Sequence, residues 1–559
     1  MLKKIHALIL LTIIVFVSCN VENSRIKPSL AGITVEDMKN CISVLASDDF
    51  LGRAPSTEGE EKTISYLAEQ FKQIGLKPAN KDSYFQEMSL MKLTANASMK
   101  LDISGGESNI SLKFSDDFIG GTPQISELVQ INNSDIVFVG YGINSPENRW
   151  NDYDGLDVKG KTVLMLVNDP GYATSDTNLF NGKAMTIYGR WTYKFDEAAR
   201  QGASAAIIIH ETGAAAYPWA VVQNSWSGSQ FYLLDNDLSR SNLQLQSWVT
   251  TESAQKIFES AGLDYNQTIT SAAKRGFKPV NMNLKASIQF KNQVEYTKSN
   301  NVAAVWPGTD QSDEYIIYTS HWDHFGVNPA FEGDSILNGA VDNATGTAAL
   351  IEIAEAFTKL PENQNRSILF LAVTCEEQGL LGSKFYAENP LFPLNKTVAV
   401  INMDALNISG KTKDMTIIGF GNSKLDDYAV AILNKYRRYA NPDPTPEKGS
   451  YFRSDHFSFA KEGVPSLYLS KGIDDVEHGK EWALAESEKW VMANYHKPTD
   501  NYEPDKWNFD GMIEDIKVYF EIGYNLSIIR EFPDWNPGSP FKSIRNQMMN
   551  KNANHNTVF

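Results

Sequence analysis

From about Asn301 onward the chain alternates short apolar runs with helical periodicity, and four of the runs stop just before a polar group. They are Tyr315-Ile316-Ile317-Tyr318 before His321, Ile368-Leu369-Phe370-Leu371-Ala372-Val373 before Glu376, Val398-Ala399-Val400-Ile401 before Asp404, and Ser466-Leu467-Tyr468-Leu469 before Lys471. Strand-length apolar runs separated by helical stretches read as an α/β sheet with crossover helices. Ligands bind such sheets beyond the carboxyl ends of the strands, so the side chains that follow these runs are expected to converge. His321, Asp342, Glu376, Glu377, Asp404 and His496 are the candidates, and five of the eight histidines (His321, His324, His456, His478 and His496) fall in this region. Imidazole and carboxylate without thiolate suit zinc and other borderline divalent ions.

The remainder of the chain sets the frame for that region. At 559 residues it is too long for one core and implies two or three domains, with 42% hydrophobic residues to fill them. Sixty-eight acidic against 51 basic residues give a net charge of −17, which excludes nucleic acid as a natural partner. Three cysteines cannot form a disulfide framework, and Cys41 and Cys375 read as buried free thiols.

Cys19 belongs to an address signal. Residues 1–18 carry Lys3 and Lys4, an apolar run from Ile5 to Val17 broken by His6 and Thr12, and Ser18 just before the cysteine. That order resembles a bacterial lipoprotein signal, with Cys19 as the lipidated N-terminus, an exported chain and a membrane anchor as consequences. An ordinary cleaved signal with an incidental cysteine is the alternative.

The mature chain is divided into a polar tether (19–31), an N-terminal part of the catalytic domain (32–124), a β-rich insert (125–279), the main catalytic portion (280–530) and a C-terminal tail (531–559) whose Asn-rich end, from 542, is expected to be disordered. Helices are expected from Thr34 to Ala46 and from Thr57 to Leu76.

Five motifs carry a family resemblance. Ser320-His321-Trp322-Asp323-His324, Asn338-Gly339-Ala340-Val341-Asp342-Asn343, Cys375-Glu376-Glu377-Gln378-Gly379, Asn402-Met403-Asp404 and Tyr495-His496-Lys497-Pro498-Thr499-Asp500 resemble, in order and spacing, the M28 family of zinc aminopeptidases. The insert resembles a protease-associated (PA) domain through Phe138-Val139-Gly140-Tyr141-Gly142-Ile143 and Asp152 to Lys161. The resemblance implies a mixed open sheet flanked by helices, of the zinc-exopeptidase, phosphorylase/hydrolase-like kind, with the PA domain inserted. It implies two zinc ions per chain, one on His321 and Asp404, the other on Glu377 and His496, with Asp342 bridging. It further implies Glu376 as general base toward a metal-bridged water, Asp323 as the outer carboxylate that orients His321, and Tyr495 as donor to the oxyanion. Arg453 is matched to a substrate-holding loop, with a structural ion pair as its alternative. A cis peptide is expected between Asp342 and Asn343.

The leading expectation is an exported, lipid-anchored aminopeptidase acting on peptides. A metallocarboxypeptidase and a glutaminyl cyclase share such a site, and a non-catalytic peptide receptor is the reading from another class. Oligomeric state, the residue preferred at the cleaved position, the membrane face and the metal loaded in the cell are open.

Overall fold

The computed structural model describes residues 25–234, 243–329, 331–362 and 364–555. Its main sheet contains β1 (Phe85–Ala95), β2 (Val280–Trp306), β3 (Gln311–His321), β4 (Arg366–Val373), β5 (Thr397–Asn402), β6 (Asp414–Ile418), β7 (Tyr439–Pro442) and β8 (Ser466–Ser470), with the short strands Lys77–Pro78 beside β2 and Gln230–Leu233 beside β1. Their spatial order is β1-β2-β4-β3-β5-β8-β6-β7. The central strands β4, β3, β5 and β8 are parallel, while β2 runs antiparallel to both β1 and β4, and β6 runs antiparallel to β8 but parallel to β7. The fold is therefore mixed α/β.

The apolar runs are continuous because both faces of the sheet are covered. Ile316, Tyr318, Ile368, Phe370 and Ala372 point to one face, into a core shared with α1 (Val35–Leu45), α2 (Glu58–Ile74), α3 (Thr345–Thr358) and α5 (Asp510–Ile528). Ile317, Leu369, Leu371, Val373 and Val400 point to the other, against Tyr386, Ala387 and Phe459. The two expected N-terminal helices are α1 and α2; Thr34 and Thr57 cap them by accepting from the Asp37 and Gly59 amides at 3.1 Å. A further helix, α4 (Gly479–Asn494), lies over the carboxyl edge of the sheet and buries none of its residues fully.

A second sheet is joined to the first through β2. The 280–291 half of β2 pairs with Leu128–Phe138 and Lys100–Ser104, and the 292–306 half pairs with β1 and β4. Beyond Leu128–Phe138 the second sheet continues in parallel through Thr162–Leu166, Ala205–His210 and Leu245–Thr250. It has cores of its own, around Phe138, Ile207 and Phe258 on one face and Val163, Ile208 and Trp248 on the other. The sheet thus reaches outside the insert read at 125–279, because the strands between 100 and 121 and the first half of β2 hydrogen-bond into it.

Both ends differ from expectation. Residues 25–31, read as tether, are helical, because Ile26 and Leu30, four apart, lie against the main core. The 531–555 stretch packs rather than trailing: the Trp535 indole is buried and donates to the Gly463 carbonyl at 2.8 Å, and Lys542–His555 is a helix. That helix lacks an apolar stripe; Arg545 holds it by donating to the carbonyls of Leu394 and Thr397. The signal and Cys19 lie outside the described residues. No helix among the described residues is long and apolar enough to cross a membrane. Cys41 and Cys375 are buried free thiols.

Candidate metal centre

His321 is the last residue of β3, Glu376 and Glu377 follow β4, and Asp404 follows β5. Parallel strands bring these ends to one edge. Asp342 arrives from the turn before α3, where Gly339 sits at φ 53° and a Cβ would lie 2.3 Å from the Asp342 carbonyl and 2.6 Å from the His324 ring. The Asp342–Asn343 peptide is cis, as the resemblance implies. The turn is held on both sides: Asn343 donates to Ser320 Oγ and the Met403 carbonyl, and the Asp500 carboxylate accepts the Val341 and Asp342 amides at 3.0 and 3.1 Å.

The donor atoms then meet. His321 Nε2 lies 3.3 Å from Asp342 Oδ1 and 3.4 Å from Asp404 Oδ1, and His496 Nε2 lies 3.1 Å from Glu377 Oε2 and 3.6 Å from Asp342 Oδ2. Two ligands bound tetrahedrally to one zinc at about 2.0–2.1 Å stand about 3.3 Å apart, so these separations fit a pair of ions with Asp342 between them. Both Nε2 atoms are buried, and neither makes a hydrogen bond despite the carboxylates beside it. Glu376 faces the same space, with a carboxylate oxygen within 4.8 Å of donor atoms of His321 and Asp404.

The electrostatics of the centre are dominated by its carboxylates and imidazoles. Burial lowers the His496 imidazole, yet Glu377 and Asp342 overcome it and raise the ring to about 9. Burial raises Glu377, but His496 and His324 hold its carboxyl down to about 2. Glu376 moves the opposite way: burial, reinforced by Glu377 and Asp404 and opposed by His321, pushes it well above the carboxylate range. The surroundings thus drive two adjacent acids in opposite directions.

Surrounding residues define the orientation. His321 Nδ1 is 3.2 Å from the main-chain carbonyl of Asp323 and 3.9 Å from its carboxylate. The residue expected to orient His321 therefore does so chiefly through its backbone, and its carboxylate instead accepts the Glu376 amide at 3.0 Å. His324, given no role from the sequence, has Nδ1 2.6 Å from Glu377 Oε1, so it fixes the oxygen turned away from His496. Ser454 Oγ donates to Asp404 Oδ2 at 2.6 Å. Buried Arg53 donates to the carbonyls of Leu45, Trp322, Asn338 and Gly339, tying together the segments that carry His321 and Asp342. From the second sheet's side, Asn224 donates to the His496 carbonyl at 3.3 Å.

The centre opens into a cleft of about 1140 Å³ between the two sheets. Tyr495 lines it, its ring centroid 3.8 Å from that of His496. Arg453 also lines it, with its guanidinium 4.9 Å over the Tyr217 ring. Arg453 has no acid within 4.0 Å among the described residues, so the structural ion pair weighed from the sequence does not form; its Nη1 reaches only the Lys448 carbonyl, at 3.4 Å.

A parallel-edge site of two imidazoles and four carboxylates defines a metallohydrolase-like centre, and comparison with known proteins finds relatives for the segment that carries it. Residues 301–520 match the sequence model of Peptidase family M28. Aminopeptidase NAALADL1 of Rattus norvegicus is 35% identical over 254 residues, covering 41% of this chain and 31% of that protein. Aminopeptidase YwaD of Bacillus subtilis (strain 168) is 24% identical over 224 residues, covering 39% of this chain and 43% of that protein. The chain thus spans less than half the length of these curated relatives. The solved aminopeptidase from Aneurinibacillus sp. strain AM-1 superposes with a TM-score of 0.53 at 19% identity, over 91% of this chain and 97% of that one, and shares the fold.

Proposed function

We propose that the chain is a zinc aminopeptidase with two ions per site, exported and held at a membrane through lipid on Cys19. The observation that carries the catalytic part is the set of donor separations, 3.1–3.6 Å between each buried imidazole Nε2 and its carboxylates. His321 and Asp404 would hold one ion and Glu377 and His496 the other, with Asp342 placed to serve both. Zinc there would supply a Lewis acid toward the scissile carbonyl and acidify water toward neutral pH. Glu376, its amide held by Asp323, takes a proton from the attacking water and delivers it to the departing amine. Tyr495 donates its phenol proton toward the oxygen that gains charge, and Arg453, with no acid beside it among the described residues, holds a substrate carbonyl. The region around 125–279, read as a PA domain, contributes no ligand and walls the cleft, which limits substrate size.

The test is a peptide set assayed with zinc-loaded protein. An aminopeptidase releases the first residue, and N-acetylation of the peptide stops it. Cleavage blocked by C-terminal amidation instead would make it a carboxypeptidase, and loss of ammonia from N-terminal Gln without release of an amino acid would make it a cyclase. For the anchor, Cys19→Ser is expected to move the protein from the membrane to the soluble fraction of the exported pool; unchanged membrane retention would contradict it.

A further inference from the structure

Of the four strand ends that drew attention in the sequence, three deliver residues of the metal centre and the fourth delivers Lys471. β8 pairs with β5 in parallel, with Asn402 level with Tyr468, so extending the register puts Asp404 level with Ser470 and Lys471 one residue beyond. Lys471 lies on the cleft wall beside the Asp404 half of the centre, together with Leu406, Ile408, Trp482 and Trp490. It is only partly exposed, and among the described residues it has neither a hydrogen bond nor an acid within 4.0 Å. Burial pushes its ammonium below the usual lysine range, with the Glu486 carboxylate of α4 acting the other way. Most other lysines of this acidic chain are solvated, and several of them pair with surface acids.

An ammonium withdrawn from water into a cleft with no carboxylate in contact is costly, and the cost is recovered when a ligand supplies the anion. The apolar walls from Leu406, Ile408 and the two tryptophans suit the methylenes of a short side chain that ends in a charge. Resting on the aminopeptidase reading, we infer that Lys471 is a specificity residue that pairs with the carboxylate of an acidic N-terminal residue, glutamate or aspartate, of the peptide substrate.

The experiment compares kcat/KM for Glu-, Gln-, Asp-, Asn- and Leu-aminoacyl fluorogenic substrates in the wild type, Lys471→Met and Lys471→Glu, all zinc-loaded. A charge-assisted bond in a partly buried site is expected to favour Glu over Gln by about tenfold or more in the wild type. The same ratio should fall to about one in Lys471→Met, and Lys- or Arg-aminoacyl substrates should gain in Lys471→Glu. The Glu-to-Gln ratio is insensitive to a purely structural loss, which would lower both substrates together. A wild type that turns over Leu and Gln substrates but not Glu or Asp overturns the inference and leaves the aminopeptidase reading intact; so does a variant whose ratio equals the wild type's. Hydrolysis of no aminoacyl substrate at all would overturn both.

Discussion

Glu376 and Glu377 share a strand end and a chemical type, yet their surroundings assign them different tasks, and substitution should expose the difference. Glu376→Gln keeps shape and removes the base, so metal content should be unchanged while turnover falls by about 10² to 10⁴. Glu377→Gln removes an anionic ligand, so one ion should be lost or weakened and partly restored by excess zinc, with a lower melting temperature. Metal analysis beside initial rates separates the two; normal turnover in Glu376→Gln would remove it from the mechanism. His324 gives a third case. Its 2.6 Å contact with Glu377 orients a ligand, so His324→Ala should weaken zinc binding by about 10- to 100-fold, measured by competition with a chelator, with turnover recovering at saturating metal. The sequence displayed this centre unevenly for a physical reason. Three of the proposed ligands, His321, Glu377 and Asp404, lie just past apolar runs, where a polar residue stands out, whereas the partners of these residues are set by how loops cross. His324 was in view within Ser320–His324, but only the folded loop shows that its ring turns to Glu377. Asp323 was likewise in view, and only the structure shows its carboxylate on the Glu376 amide.

At the scale of elements, the central strands were legible because each is buried on both faces and so reads as an unbroken apolar run, as β4 and β5 do. The long strand β2 was not, since its first half alternates buried and exposed residues in one sheet and its second half enters another. Nor were the ends of the chain, where single side chains rather than periodic stripes make the attachment. Inside the fold, Arg53 acts in the same way: one guanidinium satisfies four carbonyls from three segments. Arg53→Met should leave these buried acceptors unpaired and cost about 3 kcal/mol or more, read from denaturant unfolding. A loss below about 1 kcal/mol would show that water replaces the guanidinium. Truncation after residue 530 should likewise lower the melting temperature, because it uncovers the surfaces that Trp535 and Arg545 occupy; an unchanged melting temperature would restore the reading of a free tail.

For the whole molecule, acid stability should depend on a histidine away from the ligands. His456 is buried between Tyr451 and Tyr468, and burial drives its imidazole down to about 3. The unfolded chain binds a proton there below about 6.5 while the folded chain does not until about 3, so stability falls as pH drops through that window. His456→Leu should flatten the slope between pH 6 and 4 by up to about 1.4 kcal/mol per pH unit, measured by chemical denaturation at fixed pH values. An unchanged slope would mean the ring is protonated in the folded state. The proposed function rests on one feature of the whole molecule, the donor set at the carboxyl edge of the main sheet. The most direct test of the account is a titration of metal-free protein with zinc, following bound metal by mass spectrometry and aminopeptidase rate together. The account predicts that activity requires zinc and that binding saturates at two ions per chain. Full activity in the metal-free protein, or saturation at one ion with full activity, would contradict it.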